Sequence, residues 1–119
     1  MKRKNAYELL MRGREMLAAR RDHQAALLLQ EACELEPRKG SVREALGRAL
    51  YNIGETERAS DQFQIAVDLN PADDYAYFGL AMCRIRMGDK PGAAGLLKIA
   101  LAMRPNSKDY RRALERIAS

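Results

Sequence analysis

The chain has no tryptophan, one histidine, two cysteines and four prolines in 119 residues, and aromatic side chains make up only 6% of it. Each scarcity excludes something. Cys33 and Cys83 form no close pair and no CxxC, so the sequence offers neither a disulfide framework nor a thiolate metal site. His23 lacks the cysteine, serine or carboxylate partner that general-base or nucleophilic catalysis needs, and it reads as a surface residue. Glu8, Arg12, Arg14 and Glu15 break up the N-terminal segment, which leaves no apolar stretch for a secretory leader or a membrane span. The expectation is a cytoplasmic, non-catalytic chain that uses no cofactor or metal and has no membrane contact.

What is present is a repeat. The chain is 47% apolar and 31% charged, which suits a soluble globular fold with one continuous core. Pro37, Pro71 and Pro105 stand 34 residues apart, in "LEPRKG", "LNPADD" and "MRPNSK". Positions 24, 12 and 5 before each proline hold Gly13, Ala25 and Ala32, then Gly47, Ala59 and Ala66, then Ala81, Ala93 and Ala100. All nine are glycine or alanine. Eight before each proline stand the large residues Leu29, Phe63 and Leu97, and two before it Leu35, Leu69 and Met103. Arg20, Gly54 and Gly88 mark a turn near the middle of each unit and split it into two helices of about 13 residues. Antiparallel helices approach closely only where facing side chains are small, with large neighbours filling the gaps. Proline then ends the second helix, because it lacks an N–H and turns its predecessor away from helical angles.

These residues resemble the tetratricopeptide repeat family. The resemblance covers three units, 6–39, 40–73 and 74–107, and leaves "KDYRRALERIAS" (108–119) similar to the family's capping helix, with Tyr110, Leu114 and Ile117 on its apolar side. It implies a single domain over 1–119: an all-α, right-handed superhelical solenoid of three antiparallel helical hairpins plus a cap. Local departures are Arg43, where Leu9 and Tyr77 fill the equivalent large position, and Arg84 at a position held elsewhere by Met16 and Leu50. Gly92 and Gly95 inside the sixth helix are expected to cost about 1 kcal/mol each and to make it the weakest.

In such a solenoid the first helix of each unit lines a concave groove. Helix-face spacing then assigns to it Tyr7, Leu10, Met11 and Arg14 from the first helix, and Ser41, Glu44, Ala45, Arg48 and Tyr51 from the third. The fifth adds Tyr75, Phe78, Met82 and Arg86. Leu10 and Phe78 are the members whose spacing equally suits the core. Arg14, Arg48 and Arg116 lie on one 34-residue register, interrupted by Met82. The pattern is either a ladder for carboxylates or a solvated face in a chain of net charge +5.

Family members that clamp the C-terminal carboxylate of heat-shock chaperones use two lysines, two asparagines and an arginine; the matching positions here are Leu10, Arg14, Ala45, Tyr75 and Gly79, so that clamp is missing. The function expected is a protein-binding scaffold for a segment with apolar and acidic residues, and a second copy of the chain is among the partners such a face admits. A small secretion-type chaperone is a narrower version of the same reading. The alternative of another class is a nucleic-acid-binding helical repeat, suggested by "KRK" and "YRRALER". Against it, acidic residues interrupt every basic stretch, whereas phosphate binding needs a continuous stripe.

Overall fold

The computed structural model describes residues 5–118. Lys2, Arg3 and Lys4, which carry half of the nucleic-acid alternative, lie outside the described residues. Those residues form seven helices and no strand: α1 (Ala6–Ala18), α2 (Asp22–Leu35), α3 (Gly40–Asn52), α4 (Thr56–Leu69), α5 (Asp74–Arg86), α6 (Lys90–Met103) and α7 (Lys108–Ala118). The odd helices begin at 6, 40, 74 and 108 and the even ones at 22, 56 and 90, each a step of 34.

Local chemistry fixes the boundaries. Pro37, Pro71 and Pro105 follow one residue after the C-caps Glu36, Asn70 and Arg104, whose φ angles of −134°, −142° and −136° have left the helical region. Side chains start four of the helices: Asn5 Oδ1 accepts from the Tyr7 amide (2.8 Å), Asp73 Oδ1 from Ala76 (3.1 Å), Asp89 Oδ1 from Gly92 (2.9 Å) and Ser107 Oγ from Tyr110 (3.2 Å). Gly54 and Gly88 occupy the left-handed turns at φ +87° and +82°. Arg20 takes the same place at φ +62°, although it has a Cβ to accommodate.

Gly92 departs from its expected role. It sits in the first turn of α6 with its amide bound to Asp89, and a Cβ there would run into the Asp89 carboxyl. It is a capping position. The cost of an interior glycine therefore falls on Gly95, which is exposed with open space around it.

All nine small register positions are buried. Leu29, Phe63 and Leu97 are the knobs that fit against them, at 0%, 2% and 0% exposure. A Cβ on Gly13 would come 2.6 Å from Leu29 Cγ, and one on Gly47 3.0 Å from the Phe63 ring. Phe63 also presses on Gly79 of α5, where a Cβ would overlap the ring. In the same register Gly79 is preceded by Ala45 and followed by Ala113. The aromatic knob is larger than the two leucines, so it requires glycine on both sides.

Arg43, the apparent misfit, is tied down: its Nε donates to the Pro37 carbonyl and its Nη1 to Gln62 Oε1, both at 2.9 Å. Arg111 makes the equivalent bond to the Pro105 carbonyl at 2.6 Å. Cys33 and Cys83 are buried and free, and burial raises both thiols, Cys83 to about 11, which disfavours the thiolate form. Among the described residues no helix is long and apolar enough to cross a membrane, and no group of His, Cys, Asp and Glu has metal-holding geometry.

Candidate functional site

The hairpins stack so that α1 touches α3 and α3 touches α5, while the even helices make less contact among themselves. The odd helices therefore form the inner face. On it, Arg48, Tyr51 and Asn52 from α3 and Tyr75, Phe78, Gly79 and Met82 from α5 line a cleft of about 110 Å³, with Phe63 of α4 contributing from behind. Gly79 lets the ring of Phe63 reach this surface from the second layer. Tyr75 and Phe78 meet at 6.1 Å between ring centroids. Arg86 caps the lower end: its guanidinium carbon lies 3.5 Å from the Tyr51 ring centroid and its Nη1 donates to the Tyr51 carbonyl at 2.7 Å. That arginine is engaged within the chain and orients Tyr51.

The upper half of the same face is electrostatic. Glu44 is half-buried. Burial pushes its carboxyl from 4.5 up to about 8, helped by a side-chain hydrogen bond with Asp73 and by the Asp73 charge, and opposed by Arg14. Burial likewise raises the Tyr75 hydroxyl, with Arg48 acting in the opposite sense. Arg14, Glu44, Arg48, Asp73 and Tyr75 thus form one interacting group contributed by all three hairpins.

Of the residues assigned from sequence, Arg48, Tyr51, Tyr75, Phe78 and Met82 converge on the cleft. Tyr7 and Met11, 60% and 38% exposed, stand at the open end of the inner face with Arg14, and Ser41 is half-buried at the start of α3. Leu10 is a correction: at 3% exposure it belongs to the main core with Leu9 and Leu17, because the helix turns that position toward the next hairpin and away from solvent. Ala45 is buried with it. Phe78 serves both surfaces, since its other side joins the small core of Ala81, Leu97, Leu114 and Ile117. Arg116 is exposed in the last turn of α7 and is not among the residues that line this cleft.

The sequence reading missed Asn52, Phe63 and Asp73. Asn52 and Phe63 lay outside the face-spacing rule, and Asp73 precedes α5 as its N-cap, a signal that was legible in "ADDYAY". It also missed a second, open cleft of about 780 Å³ between α5 and α7, where Asp74 accepts from Tyr110 Oη at 2.5 Å and from Arg104 Nε at 3.0 Å. Burial works to raise the Asp74 carboxyl, but these two donors outweigh it and leave it below the usual range.

What this face offers is shape, aromatic surface and charge. A family model of the tetratricopeptide repeat matches residues 44–108. Interferon-induced protein with tetratricopeptide repeats 3 of Mus musculus is 28% identical over an alignment of 102 residues that covers 82% of this chain and 25% of that protein, so the chain spans a quarter of its relative. Among solved structures, the TPR domain of Arabidopsis OM64 superposes with a TM-score of 0.92 at 17% identity, covering 95% of this chain and 93% of that one. The first TPR domain of Spaghetti (RPAP3), solved with the HSP90 peptide SRMEEVD, gives 0.91 at 18% identity, covering 95% and 90%. At such identities these structures share the fold alone. With the register, the helical hairpins and the matching family model together, the chain belongs to the tetratricopeptide repeat family, whose fold is typical of protein–protein interaction modules.

Proposed function

We propose that the chain is a non-catalytic binding module that holds a segment of a partner protein along its inner face, with an apolar side chain of that segment seated among Tyr51, Tyr75, Phe78 and Met82. The observation that carries this reading is the convergence of those four residues, from two hairpins, on one open cleft with Arg48 at its edge. Aromatic, methionine and arginine side chains are enriched at protein interfaces, and tyrosine and arginine are among the types that supply most of the binding energy there. The RPAP3 domain is seen with a peptide, which supports a peptide or protein ligand in general. The ligand itself does not transfer: at the clamp positions this chain has buried Leu10 and Ala45, and Gly79 beneath Phe63, none of which offers a side-chain donor.

Affinity capture from a lysate tests the reading, comparing wild type with Met82→Glu. Met82 is half-buried at the cleft and lies outside both core clusters, so the variant is expected to keep its helical circular dichroism. A true anchor position loses about 2 kcal/mol or more, roughly a thirtyfold drop in affinity, and the retained protein disappears. A folded variant that retains the same proteins in the same amounts would place the binding surface elsewhere.

A further inference from the structure

We propose that the open cleft between α5 and α7 is a second subsite that takes an acidic stretch of the same bound segment, within a few residues of the apolar side chain seated between α3 and α5. The inference rests on the groove reading above and adds what the partner segment must carry.

The two clefts adjoin. Tyr75 and Phe78 line both of them, one on each side of a single aromatic ridge. The ridge extends to the cap, because Phe78 and Tyr110 lie 5.0 Å apart between centroids and are inclined by 31°. A segment whose apolar side chain rests on one flank of Tyr75 and Phe78 must run over the other flank or leave the protein at Arg48. The larger space, about 780 Å³, lies on the α7 side.

The charges around that space are unbalanced. Five charged side chains line it: Asp74, Arg104, Lys108, Asp109 and Arg112. Asp74 is paired with Arg104 and also accepts from the Tyr110 hydroxyl, both on Oδ2, and this trio pins α7 to the start of α5, so the cleft is shaped before any ligand arrives. Two exposed cations, Lys108 and Arg112, then face one carboxylate, Asp109. A segment entering there meets aromatic faces below and excess positive charge at the rim, an arrangement that favours carboxylates and penalises lysine or arginine. The acidic groups of the inner face, Glu44 and Asp73, are not among the residues that line this cleft.

The test uses phage-displayed peptides of about 12 random residues selected on the chain, followed by fluorescence anisotropy of a selected, fluorescein-labelled peptide. Three proteins are compared: wild type, the double variant Lys108→Glu with Arg112→Glu, and Met82→Glu. Selected sequences are expected to place Asp or Glu within a few residues of a Leu, Met, Phe or Tyr. Charge reversal should weaken binding by about tenfold or more, and raising salt from about 50 to about 300 mM should weaken wild type more than the reversed variant. Both replaced side chains are exposed, so circular dichroism is expected to be unchanged. Peptides without acidic enrichment, or equal binding by the charge-reversed protein, overturn the subsite; if Met82→Glu still abolishes binding, the groove reading survives alone. Failure to select any peptide, or undiminished binding by both variants, removes both.

Discussion

Phe63 is the residue on which the middle of the molecule turns. Its register partners are leucines, and only this larger knob needs glycine both on its own hairpin, at Gly47, and on the next, at Gly79. Gly79 is unexplained by the small-residue register, which places its small positions elsewhere on α5. Tertiary packing explains it. Gly79→Ala should cost about 1–3 kcal/mol by forcing a methyl group into the ring. Phe63→Leu should lose about 1 kcal/mol through the cavity it leaves. Combined, the two should cost less than their sum, since a leucine facing an alanine reproduces the pairing of Leu29 with Ala45 one repeat earlier. Urea denaturation of the two single variants and the double gives the coupling directly; strictly additive effects would show that Gly79 is present for some reason other than the Phe63 contact.

Elements differ in how firmly they are held. The first two hairpins share one large core, whereas α6 buries only Ala93, Leu97 and Ala100 and rests on the small cluster completed by α7. Gly95 stands exposed in the middle of α6 and adds backbone entropy to be lost on folding. In a stacked repeat each unit is stabilised mainly by its neighbours, so an end unit with a small interface opens first. Amide hydrogen exchange should therefore be faster in α6 and α7 than in α4. Gly95→Ala, whose Cβ meets nothing, should slow exchange in α6 and stabilise it by about 1 kcal/mol. If exchange in α6 is unchanged, its opening is governed by release of α7 and not by its own backbone. The recurring bond from Arg43 to Pro37 and from Arg111 to Pro105 shows the opposite device, an odd helix anchored to the loop that delivers it.

Across the whole molecule, which measures 55 × 25 × 22 Å, the inner face is a surface to which all three hairpins contribute in common. Its charged half makes the fold sensitive to pH. Glu44 holds its proton more tightly in the fold, up to about 8 against 4.5, because burial and Asp73 disfavour its anion. The raised value means that its contribution to stability is fully present below pH 4.5 and is lost as pH rises through about 8. The melting temperature of wild type should accordingly decline between those limits, and Glu44→Gln, which keeps the hydrogen-bonding shape without the charge, should flatten the decline. Parallel pH profiles for the two proteins would remove Glu44 as its source.

The sequence by itself determined the helices, their lengths and their pairing. A 34-residue period written in proline, glycine and alanine encodes only local conformation and closest approach, both of which follow from backbone sterics and side-chain size. It also located the aromatic half of the candidate site, since Tyr75, Phe78 and Met82 share a stripe on one helix. What only the tertiary structure decided is which side of each stripe faces a neighbour. Leu10 turned to the core and Phe78 served two surfaces because adjacent hairpins pack at an angle, and helix periodicity carries no information about that angle. The same applies to contacts between repeats: Arg86 over Tyr51, Asp73 beside Glu44, and Asp74 joined to Tyr110 and Arg104 bring together residues from different helices. Their partners are chosen by how hairpins stack, so the α5–α7 cleft was invisible until the cap had a position.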